Sequence, residues 1–180
     1  MSQTIIENLS KMHLFRQVPI DDLKKLVSAC DVQRHDIADV ICNQGDVAQN
    51  ALILVTGRLE VSVRTQSSVR HVGEIFPGEI FGETGLFHSK GIRSATVMAN
   101  KPSICLVLTP KFMRDVADNQ AMVALEKHLI ATMARRIRAT NLAIQKAWKD
   151  SIEEIPDDPT EEVEIVKPTL LGRLRSLFGN

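Results

Sequence analysis

Residues 81–97 read FGETGLFHSKGIRSATV, with a Gly-Glu pair ten residues ahead of an Arg-Ser-Ala triplet. An acid and a base so close together have two physical explanations. Glu83 and Arg93 could neutralise one another across a turn that caps a barrel, or the turn could cradle a ligand bearing both hydroxyls and a negative charge. In the second case each residue type has a task. Gly82 permits close backbone approach, and the start of a short helix at Glu83-Thr84 offers N–H groups to an anion. Arg93 supplies charge-assisted hydrogen bonds, and Ser94 adds a hydroxyl. Glu83 is wrong beside a phosphate but right for accepting a hydrogen bond from a sugar hydroxyl. Acid and base together describe a ribose phosphate.

The chain around this stretch is β-rich. Val40-Ile41-Cys42, Leu52 to Val55, Leu59 to Val63, Val72 to Phe76 and Ile104 to Leu108 are short apolar or alternating runs. Gln44-Gly45-Asp46, Thr56-Gly57-Arg58 and Pro77-Gly78-Glu79 read as turns between them. Short strands at near-regular spacing predict an antiparallel sandwich or barrel over 32–109. Residues 1–31 read as helical, with Ile5, Ile6 and Leu9 on one face and Leu23, Leu26 and Val27 on another.

Pro110 opens a second helical region, 110–149. There Met122, Leu125, Leu129, Met133, Ile137, Ile144 and Trp148 form a stripe interrupted by Thr140. A helix of that length outruns a small barrel, and pairing with a second copy covers the remainder. Residues 150–180 begin as an acidic, proline-broken linker. They end in Leu170, Leu171, Leu174, Leu177 and Phe178, one apolar face with Lys167, Arg173 and Arg175 beside it. That segment is suited to a membrane surface, a partner's groove or its own domain.

With 22 basic and 22 acidic residues in 180, the chain has no net charge to draw it to nucleic acid. Cys30, Cys42 and Cys105 are scattered and form no CxxC pair, and His13, His35, His71, His88 and His128 show no metal-ligand spacing. Reduced thiols and the lack of a signal pattern lead us to expect a cytoplasmic protein without a metal. No nucleophile–base pair or carboxylate dyad suggests an enzyme.

FGETGLF followed by RSATV resembles the phosphate-binding cassette of the cyclic nucleotide-binding family, here 81–95. The resemblance extends upstream to QGD and TGRLEV, and downstream to ARRIRATN (134–141), which is similar to the central helix of catabolite activator relatives. It implies an α+β fold, a jelly-roll-like β-roll with N-terminal helices and a long C-terminal helix. It also implies a cyclic mononucleotide ligand, cAMP with cGMP as the alternative. On that pattern Glu83 binds the ribose hydroxyl, Arg93 and Ser94 bind the cyclic phosphate, and Gly82, Thr84 and Ala95 complete the cassette. Arg136 and Thr140 lie near the base, and Asn141 stands where the activator has serine. Thr140 reads equally well as a polar break that sets coiled-coil register. A solvated face is the expected role for at least two of Arg135, Arg136 and Arg138.

In activator relatives a DNA-reading domain follows the long helix, whereas here the residues after Trp148 are acidic and proline-broken. The expectation is therefore a stand-alone receptor without DNA binding, a homodimer signalling to a protein partner. The alternative is a degenerate roll acting as a non-binding adaptor.

Overall fold

The two longest strands decide the architecture, and their composition explains why. In the computed structural model, which describes residues 2–153 apart from 89, 116 and 117, β3 runs Ala51–Arg64 and β6 runs Thr96–Leu108. They pair antiparallel from Ala51↔Leu108 to Ser62↔Thr96. Around them lie β1 (Asp31–His35), β2 (Val40–Cys42), β4 (Val69–Ile75) and β5 (Ile80–Phe81). β1 and β2 pair with opposite ends of β6, while β5 and β4 pair with opposite ends of β3, so the six-stranded sheet curls into a roll.

The run ALILV at 51–55 is apolar at every position because both faces of the strand are covered. Ala51, Ile53 and Val55 pack on helices α1 (Ser2–Lys11) and α2 (Ile20–Ala29), together with Leu106 and Leu108 of β6. Leu52 and Leu54, with Cys105 and Val107, point into the roll. The apolar faces predicted for the N-terminal helices are observed: Ile5, Ile6, Leu9, Leu23, Leu26 and Val27 are all buried. Helices and roll thus share a core, and Met1–Arg136 form one compact unit.

One predicted turn is not a turn. Thr56-Gly57-Arg58 lies inside β3, where the register slips against β6. Gly57 takes φ +100°, and a Cβ there would lie 2.5 Å from the Pro102 carbonyl. The Arg58 amide donates to the Ser103 hydroxyl at 3.2 Å. A positive-φ glycine therefore bends one long strand as a bulge and does not separate two short ones.

After β6, Thr109 caps α4 (Pro110–Asp115), its hydroxyl accepting from the Phe112 amide at 3.1 Å. Asn119 caps α5 (Gln120–Glu153) through the Ala121 amide at 2.7 Å, and it also donates to the Asp22 carbonyl at 3.0 Å. Met122, Leu125 and Leu129 are buried, whereas Ile130 is exposed. The second unit begins at Ile137. On its part of α5, Ile137, Leu142, Ile144 and Trp148 are exposed. Residues 154–180, with most of the acidic linker and the whole C-terminal amphipathic segment, lie outside the described residues.

Candidate functional site

The predicted turn after Pro77-Gly78 is present, and it leads through β5 into a single helical turn, α3 (Thr84–Phe87). The Gly85 and Leu86 amides donate to the Gly82 and Glu83 carbonyls at 3.0 and 2.9 Å. Gly82 has φ +72°, and a Cβ there would collide with the Arg93 guanidinium. Glycine is needed at this position for its backbone conformation and for the space occupied by arginine.

Arg93 is held from both sides. Its amide donates to the Asp46 carbonyl and its carbonyl accepts from the Gly45 amide, each at 2.8 Å. Nη2 donates to Asn50 Oδ1 at 2.6 Å and Nη1 to the Gly82 carbonyl at 3.2 Å. The side chain is only 9% exposed, and among the described residues no carboxylate forms an ion pair with it. A buried cation satisfied only by neutral acceptors carries a desolvation cost that an incoming anion offsets.

Glu83 does not neutralise Arg93. Its carboxylate, 17% exposed, instead pairs with the Arg136 guanidinium of α5, which is 55% exposed. The cap explanation for the acid and base at 83 and 93 therefore fails. Arg136, although exposed, bonds to the acid expected to meet ribose.

These groups surround a cavity of about 420 Å³, within the range of small-ligand sites. Gly82, Glu83, Thr84, Arg93, Ser94 and Ala95 line its cassette wall. Val61, Val72, Ile75 and Val97 form an apolar wall with Cys42. His128, Thr132, Arg135 and Arg136 form the helical wall. Steps of four, three and one place these four on one face of α5. Arg135 Nη2 donates to Thr132 Oγ1 at 2.9 Å, and Arg135 is exposed, as is Arg138, in keeping with the solvated face expected of at least two of the three arginines. Seven of the nine predicted site residues are thus brought together. Thr140 and Asn141 belong to the second unit, where both are exposed.

Asn50, His128 and Thr132 are site residues that sequence reasoning missed. Asn50 had one signal, a side-chain amide directly ahead of a continuous apolar strand. Burial lowers the His128 pKa below the ordinary histidine value, Arg135 and His13 push it the same way, and Glu79 opposes them. Burial also raises the Cys42 thiol, with Arg93 opposing, and pushes the Cys30 and Cys105 thiols up to about 12. These are poor nucleophiles.

The family model for the cyclic nucleotide-binding domain matches residues 33–120, which hold the whole cassette. Residues 33–120 are a cyclic nucleotide-binding domain. The chain is 31% identical over 106 residues to human cGMP-dependent protein kinase 2, an alignment covering 56% of the chain and 13% of the kinase. It is 25% identical over 120 residues to the cAMP-activated global transcriptional regulator CRP of Pasteurella multocida (strain Pm70), covering 66% of the chain and 56% of the regulator. Less than two thirds of either relative is therefore spanned.

Among solved structures, the Thermus thermophilus catabolite activator protein matches with a TM-score of 0.65 at 24% identity, covering 74% of this chain and 62% of that one. A cyclic nucleotide-binding domain from Methylobacillus flagellatus matches at 0.64 and 19% identity, covering 81% and 83%. Both bear out the α+β roll of the cyclic nucleotide-binding domain, with its long C-terminal helix.

Proposed function

We propose that this chain is a receptor for a cyclic mononucleotide, with cAMP the preferred ligand and cGMP the alternative. The observation that carries the proposal is Arg93, a buried guanidinium with no carboxylate partner among the described residues, facing a cavity of nucleotide size. The single negative charge of a cyclic phosphodiester is what such a site lacks. Ser94 adds a hydroxyl to the phosphate, Gly82, Thr84 and Ala95 shape the cradle, and the apolar wall receives the base. Glu83 accepts from the ribose hydroxyl while Arg136 orients its carboxylate. Relatives named for cAMP activation and for cGMP dependence support the ligand class without separating its two members.

A ligand that touches both the cassette and the helical wall has greater affinity for the arrangement in which the two are closest, and it shifts the population towards it. That movement of α5 is the signal passed to a protein partner. The exposed stripe Met133, Ile137, Ile144 and Trp148 supports a homodimer. Thr140 and Asn141 are assigned to the base side of the ligand, with Thr140 alternatively setting register in the stripe. Calorimetric titration with cAMP and cGMP tests the reading. Saturable 1:1 binding of either is the expected result, and no heat from either reduces the roll to a non-binding adaptor.

A further inference from the structure

His128 is the only histidine among the described residues that line the cavity. It sits on the same face of α5 as Thr132, Arg135 and Arg136, four residues before the first and eight before the last. The charges that act on it come from three elements: Arg135 on its own helix, His13 on the 3₁₀ turn His13–Phe15, and Glu79 in the turn between β4 and β5. Two of the three are basic, and the Arg136 guanidinium on the same wall is already bonded to Glu83.

We propose that His128 is a further ligand-facing residue of the cavity, and that the anionic nucleotide binds together with a proton on its imidazole. The inference rests on the reading of the cavity as a nucleotide site and names a residue that the cassette does not include. Without ligand a proton on His128 meets burial and the charges of Arg135 and His13, so protonation is less favourable than for an ordinary histidine. An anion lodged against Arg93 brings negative charge into the same enclosed space and favours the imidazolium. Linkage then requires binding to take up protons and to strengthen as pH falls. The cyclic phosphodiester keeps its single charge throughout the range in which histidine titrates, so this dependence originates in the protein.

The test is calorimetric titration of the full chain with cAMP and with cGMP from about pH 8 to about pH 5.5, in buffers of different ionisation enthalpy. Affinity is expected to rise roughly three- to tenfold over that range, with up to about one proton taken up per ligand. His128→Gln should abolish both effects while melting like the wild type near neutral pH. His13→Gln, which removes one repelling neighbour, should move the transition to higher pH. Binding that is independent of pH in the wild type overturns the proposal, and so does a dependence that persists in His128→Gln. Absence of binding at every pH overturns the receptor reading, and this inference with it.

Discussion

The cassette wall of the cavity presents Arg93 and the helical wall presents Arg136 beside Arg135, and the fold treats Arg93 and Arg136 differently. Arg93 is buried and bonded only to the Asn50 side-chain oxygen and the Gly82 carbonyl. Arg136 is largely exposed and paired with Glu83. Among the described residues the exposed cation has a counter-ion, while the buried one has none. A charge that is satisfied and wet adds little to stability. A charge that is dry and unpaired is retained against a cost, which points to a partner supplied from outside. On the proposed reading, Arg93 receives the phosphate and Arg136 positions the acid that meets the ribose.

Arg93→Ala breaks the comparison most severely. With the phosphate left unpaired, cAMP affinity should fall by about 2–5 kcal/mol, measured by calorimetry on a variant whose circular dichroism matches the wild type. Lysine should restore only part, since it lacks the fork that bonds Asn50 and Gly82 at once. Gly82→Ala attacks the same wall through the backbone. The positive φ and the collision with Arg93 should cost about 1–3 kcal/mol of stability, read by denaturant unfolding, with ligand affinity lost alongside. Glu83→Gln sharpens the contrast at the acid that Arg136 holds. It keeps the shape but weakens the acceptor, so affinity should drop about tenfold, some 1.4 kcal/mol.

The smallest expected effect concerns the empty protein. His128 has its pKa lowered in the fold, so the unfolded chain binds the proton more readily. Ligand-free stability is therefore full above the ordinary histidine value of 6.5 and falls as pH drops below it, the reverse of the trend in ligand affinity. Melting temperatures of the empty protein and of His128→Gln across that window check the sign.

The cassette wall was legible because its residues are close in the chain: Gly82, Glu83 and Arg93 fall within one short stretch, and the chemistry of each names its task. The helical wall was legible only where a motif marked it, at Arg136. His128, Thr132 and Arg135 join the site because of the angle at which α5 packs, after Met122, Leu125 and Leu129 have taken the core. No local pattern encodes that angle. The apolar periodicity of the helices and the continuous run at 51–55 were readable for the same reason as the cassette, since burial on one face or two leaves a direct mark on composition. Gly57 was misread because a positive φ serves a bulge as well as a turn, and which one it serves depends on Ser103, far along the chain.

The most direct test of the central claim, that Arg93 is buried to receive a phosphate, compares two ligands. cAMP and adenosine share base and ribose but differ in the anion. Titrated against the wild type and Arg93→Ala, cAMP should bind the wild type at least about a hundredfold more tightly than adenosine, a difference near 2.7 kcal/mol. In the variant that advantage should collapse to less than about tenfold. An advantage of cAMP over adenosine that survives intact in a folded Arg93→Ala protein would contradict the account.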